Sequence, residues 1–159
     1  EGTTGIQALD LLARKILGTQ GEILKPFAGE VAAFCQANMA DEAMAEFIKP
    51  IMTFAGEWQK MTQNIGMKAM QNPDEIGAAS VDYLMYSGYV TLAYFWAKMA
   101  KVAQDKLAAG DDEKDFYQAK IQTARFYFQR ILPRANGHSS CLANGADSMM
   151  DLDAEHFIF

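Results

Sequence analysis

The stretch Ala78–Leu107, AASVDYLMYSGYVTLAYFWAKMAKVAQDKL, decides the fold of this chain. It contains no proline and a single glycine, Gly88. Within the stretch, apolar residues recur in alternating steps of four and three, which is the spacing of one face of a long amphipathic helix. They are Val81, Met85, Gly88, Leu92, Phe95, Met99 and Val102. Further apolar and aromatic residues flank this row. We therefore expect the helix to be covered on two or three sides, as the central helix of a bundle is.

The composition narrows the class of protein. Half of the 159 residues are hydrophobic, which is enough for one domain with a sizeable core. A formal net charge of -6 argues against a nucleic-acid surface. The charge-free part of the central stretch, Tyr83–Ala97, is rich in tyrosine and too short to cross a bilayer, so we predict no membrane span.

Three helices are predicted before the central one. The first runs from Thr4 to Leu17, with Thr4 and Gln7 as a capping box and Gly18 as its left-handed cap. The second covers about Pro26–Ala37. The third follows the cap residue Asp41, and we expect a kink or a restart at the proline in its face, which reads Phe47, Ile51, Phe54, Trp58, Met61 and Ile65.

After the central helix, Gly110–Asp112 ends one helix and begins another that runs to about Leu132. A short segment over Arg134–Ala143 follows, and we expect the tail from Ala146 to Phe159 to pack partly against the other helices, with frayed ends. No stretch alternates apolar and polar residues with the period of two that is typical of a β-strand. The sequence predicts an all-α protein, a four-helix-bundle-like helical bundle with short extra helices at both ends.

The chain offers few residues in a spacing suited to metal binding or catalysis. The Glu-x-x-His pairs of di-metal bundles are missing, and His138 and His156 are not spaced as a ligand pair, so we predict no metal site. The tyrosines of the central stretch could line a pocket, but aromatic core is the simpler interpretation. Cys35 and Cys141 form no C-x-x-C motif. We expect both to be free, buried thiols, as in a reducing cytoplasm, and the first residues show no signal peptide.

The N-terminal run Glu1–Gln7, EGTTGIQ, resembles the E-G-T-x-x-I-Q signature of the acyl-CoA dehydrogenases. In that family the glutamate is the catalytic base, which removes the α-proton of an acyl-CoA thioester while the β-hydride leaves for N5 of FAD. Such a proton is weakly acidic, so a carboxylate must be made more basic by desolvation. The resemblance puts Glu1 in the role of base and the Gly2 backbone against the substrate thioester.

The same resemblance implies that Thr3, Thr4 and Gly5 lie near the flavin nucleotide. This chain departs from the family pattern at two positions. The family commonly has glutamine where Gly5 stands, which puts a side-chain contact to FAD at that position in doubt, and Ala8 replaces an arginine that often follows the signature glutamine.

The second half of the chain resembles the extra C-terminal helical domain of one bacterial acyl-CoA dehydrogenase subgroup, which includes 3-methylmercaptopropionyl-CoA dehydrogenase-like enzymes. The similarity lies in Phe116–Ile121, Ala124–Tyr127, Ile131–Pro133 and Gly145–Met150. It implies that residues 1–18 end the flavin-binding helical domain and residues 19–159 form an accessory bundle. It also implies an acyl-CoA substrate, electron-transfer flavoprotein as acceptor, and a homo-oligomer, dimer or tetramer.

If that partition holds, most of the FAD and substrate contacts precede Glu1, and the chain alone should be inactive. A different class of protein is the alternative: a stand-alone helical binding or scaffolding module whose E-G-T start is coincidental. The upstream coding region separates the two. An open frame several hundred residues long, with a tyrosine just before Glu1, supports the enzyme, whereas a start codon there supports the module.

Overall fold

The computed structural model describes residues 3–157 as a helical protein, and this part of the chain contains no β-strand. The all-α fold class predicted from the sequence is confirmed. Short π-helical or 3-10 turns join or flank several of its α-helices, which are α1 (Thr3–Leu9), α2 (Lys25–Asn38), α3 (Ala45–Ala69), α4 (Asp74–Ala108), α5 (Lys114–Phe126), α6 (Ala135–Asn144) and α7 (Asp147–Met150).

The helices form two compact units, to both of which α3 and α4 contribute. The first unit comprises the described parts of Glu1–Pro26, Glu57–Ser87 and Asn136–Phe159, and the second comprises Phe27–Gly56 and Gly88–Ala135. Each unit is therefore built from stretches that are distant in sequence, which local sequence patterns do not predict.

The core of the second unit combines aromatic and aliphatic side chains with alanines. Phe47 of α3 packs edge-on against Phe128, with ring centroids 5.1 Å apart. Tyr94 of α4 receives Phe27 and Phe34 of α2, each at 5.6 Å. The other buried positions of α4 in this unit are mostly alanines: Ala93, Ala97, Ala100 and Ala103. Because alanine projects so little, these positions let neighbouring helices approach α4 closely.

The face of α4 that the periodicity selected as the buried seam is exposed, and this expectation was wrong. Leu92, Phe95 and Val102 are 50%, 48% and 56% exposed, and the other large members of the row are exposed as well. The opposite side of the helix is buried instead, at Tyr83, Tyr86, Val90, Ala93, Tyr94, Ala97, Ala100 and Ala103. The helix is apolar on both sides, so periodicity identified two candidate faces and could not rank them.

The other long helices follow their predicted patterns closely. In α3, Phe47, Ile51, Trp58 and Ile65 of the predicted face are buried, and Phe54 and Met61 are half-buried. Asp41 caps the turn before α3 by accepting a hydrogen bond from the amide of Ala43 at 3.0 Å. Asn72 accepts one from the amide of Asp74, also at 3.0 Å, where α4 begins. Gly110, with φ of 77°, follows the end of α4 as predicted.

Two expected helix boundaries are placed differently. Pro50 lies inside α3, in its second turn, and the helix continues through it, so the chain does not restart there. Gly18 is not the left-handed cap of the first helical segment. The chain stays helical through Thr19, and Gln20 and Gly21 take positive φ values of 54° and 80°. The Gly21 amide then donates to the Ile16 carbonyl at 2.8 Å and closes the segment.

One expectation about burial was wrong. Cys35 is a buried, free thiol as predicted, whereas Cys141 is free but exposed on α6. The tail packs only in part: its large apolar side chains are all at least half exposed among the described residues, at Met149, Met150, Leu152 and Phe157. Ala146 is the part of the tail that is buried.

One backbone contact attaches the start of the tail to α4 within the first unit. Glu75 Oε1 accepts a hydrogen bond from the Ala146 amide at 3.2 Å. The preceding Gly145 has a φ of 79°, and a Cβ at that position would lie 2.8 Å from Glu75 Oε1. A side chain at Gly145 therefore meets both an unfavourable backbone conformation and the carboxylate.

Gly145→Ala should destabilise the chain by about 1–2 kcal/mol, the cost of a left-handed conformation for a residue with a Cβ. Gly77→Ala in α4 is the matched control. A Cβ at Gly77 meets nothing within 4 Å, so that change should instead stabilise the helix, by roughly 0.5–1 kcal/mol. Urea unfolding followed by circular dichroism measures both, and equal stability of the two variants would contradict the assigned conformation of Gly145.

Candidate functional site

Three of the predicted site residues, Thr3, Thr4 and Gly5, lie at the start of α1. Glu1 and Gly2, the predicted base and substrate contact, lie outside the described residues. Thr3 and Thr4 are exposed in the first turn of α1, and a Cβ added at the next residue, Gly5, would have nothing within 4 Å. The structure thus brings Thr3, Thr4 and Gly5 together on one open turn, where the first amides of a helix have no partner within the helix.

Helix α1 is held in place by one buried row. Ala8, Leu12 and Ile16 are buried, whereas Ile6 and Leu9, which the regular helical repeat assigns to the same face, are exposed. Leu12 and Ile16 belong to the segment Asp10–Ile16, which follows α1 and is π-helical. The exposed first turn is therefore carried on a helical segment anchored further along.

An ion cluster lies one turn beyond the predicted site. Asp10 accepts a hydrogen bond from the Arg14 guanidinium, and its other oxygen lies 3.2 Å from Lys15 Nζ. The hydrogen bonds from Arg14 and then Lys15 lower the pKa of Asp10 to about 2. A carboxylate this weakly basic is poorly suited to removing a proton near neutral pH, so Asp10 does not compete with Glu1 for the role of base.

Hydroxyl groups inside the first unit are paired. The hydroxyls of Tyr83 and Thr62 lie 2.8 Å apart, and the Tyr86 hydroxyl donates to Glu57 Oε2 at 3.1 Å. Burial raises the pKa of Tyr83 and of Tyr86, and the Glu57 carboxylate raises that of Tyr86 further. Both remain neutral phenols, as the interpretation of the tyrosines as core requires. No sequence signal points to these bonds, because their partners lie on another helix.

A histidine–aspartate pair joins α6 to α4 in the same unit, with His138 Nδ1 2.7 Å from Asp82 Oδ1. Both side chains are half-buried. Within residues 3–157, no three His, Cys, Asp or Glu side chains are grouped so that they could hold a metal ion. The pair therefore ties two helices together rather than forming part of a metal centre.

The second unit carries an open groove of about 620 Å³. Its polar side chains include Gln104, whose Nε2 donates to the Ala43 carbonyl at 3.0 Å, and Arg125, which is bound to Glu46 at 2.9 Å. Arg125 is thus already paired, and Asp115 is the acid that lines the groove. The described residues therefore offer an exposed helix start and well-anchored helices rather than a complete catalytic site.

The described helices also include none long and apolar enough to cross a membrane. The fold is that of an all-helical domain. Residues 27–153 match the family model described as Acetyl-CoA dehydrogenase C-terminal like. The chain belongs to this family. The matched range begins within α2, so the E-G-T run lies outside it.

Three curated relatives extend the similarity to nearly the whole chain. The 3-methylmercaptopropionyl-CoA dehydrogenase of Ruegeria pomeroyi is 32% identical over 94% of this chain. The broad-specificity linear acyl-CoA dehydrogenase FadE5 of Mycobacterium tuberculosis is 28% identical over 99% of it. The butyryl-CoA dehydrogenase of Syntrophomonas wolfei is 30% identical, also over 99%. The chain spans about a quarter of the length of these relatives, 26%, 27% and 26% respectively.

Proposed function

We propose that this chain is the C-terminal part of an FAD-dependent acyl-CoA dehydrogenase, which forms a double bond between the α and β carbons of an acyl-CoA thioester. The observation that supports this most is the extent of the similarity: 94–99% of the chain aligns with relatives named as acyl-CoA dehydrogenases. A helical module that had acquired an E-G-T start by chance would not share the rest of its length with these enzymes.

In this proposal Glu1 supplies the base. An acyl-CoA α-proton is weakly acidic, so the carboxylate must be held beside it and shielded from water, which raises its basicity. The neighbouring Asp10 has the opposite environment, since two cations lower its pKa to about 2. The acid proposed to perform the chemistry and the acid of the ion cluster are thus different residues of the chain.

In this proposal Thr3, Thr4 and Gly5 contact the nucleotide end of the flavin. Thr3 and Thr4 present exposed hydroxyls beside helix-start amides, which are donors suited to phosphate or ribose oxygens. Gly5 has no side chain, and open space surrounds it. When bound, FAD would supply the acceptor for the β-hydride. Thr3, Thr4 and Gly5 would hold and orient it, and the rest of its contacts would come from residues outside this chain.

We assign the two parts of the chain as the resemblance implies. Residues 1–18 end the flavin-binding helical domain and residues 19–159 form an accessory helical bundle. The proposed partners are the acyl-CoA substrate, electron-transfer flavoprotein as electron acceptor, and further copies in a dimer or tetramer. The proposed location is the cytoplasm.

The test compares the chain alone with the chain joined to its upstream coding sequence. The joined protein should be yellow, and an acyl-CoA series of increasing chain length should bleach it. The isolated chain should be helical, colourless and inactive, because a base cannot remove a proton from a substrate that is not held beside it. A coding sequence that starts at Glu1, or a joined protein that binds no flavin, would contradict the proposal.

A further inference from the structure

The tripeptide Ala-Asn-Gly occurs at 135–137 and again at 143–145, at the start and at the end of α6. Asparagine is one of the thermolabile residues of proteins. It is most labile before glycine, because a residue without a Cβ leaves its backbone amide open to the asparagine side chain. The two copies contain the same reacting groups, so their surroundings in the folded chain decide which of them reacts.

The two asparagines are alike in exposure but differ in the support of their backbone. Asn136 and Asn144 are both exposed. Asn136 and Gly137 lie inside α6, and a 3-10 turn directly precedes that helix, so helical structure continues on both sides of them. Asn144 is the last residue of α6, and Gly145 already has a φ of 79°. Rotation of the backbone at Asn144 therefore requires only a helix end to open, which costs little free energy.

We propose that Asn144 is a deamidation site of the folded chain, and that its conversion detaches the tail from α4. In the first step the Gly145 nitrogen loses its proton and bonds to Asn144 Cγ, and the side-chain amino group leaves as ammonia. Water then adds to one of the two carbonyls of the resulting succinimide and opens the ring. The product is aspartate, or isoaspartate where the backbone carbonyl is attacked, and nothing is oxidised or reduced.

The reaction changes the end of α6 in charge and in hydrogen bonding. Asn144 Nδ2 donates to the Ser140 carbonyl at 3.1 Å, and this bond is lost because the nitrogen leaves as ammonia. The new carboxylate lies at the C-terminal end of a helix, where the helix dipole disfavours negative charge. It is also added next to Gly145, at which a Cβ would lie only 2.8 Å from Glu75 Oε1.

The contact that attaches the tail lies just after the reacting bond. Glu75 Oε1 accepts a hydrogen bond from the Ala146 amide at 3.2 Å. Isoaspartate adds a methylene group to the backbone before Ala146, which displaces this amide from the carboxylate. Lys68 Nζ donates to the Ala143 carbonyl at 3.4 Å, and Ala143 precedes the reacting residue. The end of α6 therefore stays attached while the tail is released.

The first test compares the two copies of the tripeptide in one molecule. The chain, shown to be helical by circular dichroism, is kept for several days in a mildly alkaline buffer and then analysed by peptide mapping with mass spectrometry and enzymatic detection of isoaspartate. Asn144 should convert at least about tenfold faster than Asn136, because a helix end opens more readily than a continuous helix. In urea the two should convert at comparable rates, because the reacting tripeptide is the same.

The second test measures the attachment of the tail by hydrogen exchange. The Ala146 amide should exchange at least about tenfold faster in the incubated chain than in fresh chain, because its hydrogen bond to Glu75 is lost. Asn144→Gln is the matched control. Glutamine keeps the carboxamide but closes the corresponding ring far more slowly, so this variant should show the same exchange before and after incubation.

Three results would overturn the proposal. The first is an Asn136 that converts as fast as Asn144 in the folded chain. The second is an Asn144 that stays intact in the folded chain for as long as the unfolded chain takes to convert. The third is a converted chain whose Ala146 amide exchanges at the rate of the fresh one.

Discussion

Glu1→Gln in the enzyme that contains this chain should slow the reduction of its flavin by roughly 10²–10⁴-fold, the range that a general base contributes. Glutamine keeps the size and shape of glutamate but loses its basicity. Binding of acyl-CoA and loading of FAD should both persist, because a side chain directed at the substrate α-carbon is not what holds the cofactor. The expectation rests on the match of Glu1–Thr3 and Ile6–Gln7 to the family signature.

The measurement is stopped-flow bleaching of the oxidised flavin after mixing with a saturated acyl-CoA. Glu22→Gln is the matched control, because Glu22 is an exposed acid that pairs with Lys25 across one helical turn. The control should bleach at the wild-type rate. A Glu1→Gln enzyme that bleaches within a few-fold of wild type would remove Glu1 from the catalytic role and leave the family relationship as a statement about fold.

Phe47→Ala should cost about 3–5 kcal/mol of unfolding free energy, as expected for a phenylalanine deleted from a core. Phe47 is fully buried, and its ring lies 5.1 Å from that of Phe128. Phe95→Ala removes the same atoms from a position that is 48% exposed. Its cost should be near 1 kcal/mol, about half the value of burying a phenylalanine fully.

Urea unfolding at low protein concentration measures both changes, and the low concentration keeps any self-association out of the comparison. The pair tests the structure more sharply than either variant alone, since the deleted side chain is identical. Equal losses for the two variants would show that Phe95 is buried after all and that the face of α4 has been assigned incorrectly.

The sequence was a good guide in α3, which has only one apolar side. In α3, Phe47, Ile51, Trp58 and Ile65 were predicted to be buried and are, because polar residues occupy much of the opposite side. Local rules also located the cap at Asp41 and the helix end at Gly110, since a side-chain oxygen near a free amide and a glycine with positive φ act within a few residues.

The candidate site could not be predicted from helical periodicity or capping. The E-G-T run was recognised by resemblance, and the structure places Thr3, Thr4 and Gly5 on one open turn. The bonds of Tyr86 with Glu57 and of Tyr83 with Thr62 had no sequence signal, because each joins residues more than twenty positions apart on different helices. Ile6 and Leu9 of α1 are likewise exposed, whereas Ala8 between them is buried.

By itself, the sequence determined the helical class, most helix positions and the family, because these depend on periodicity, capping and short motifs within neighbouring residues. Tertiary structure alone decided which side of α4 is buried. Both sides are apolar, so the hydrophobic effect favours covering either one. The buried side is the one where Ala93, Ala97 and Ala100 let other helices approach closely. Packing of this kind depends on the shapes of residues that are distant in the chain.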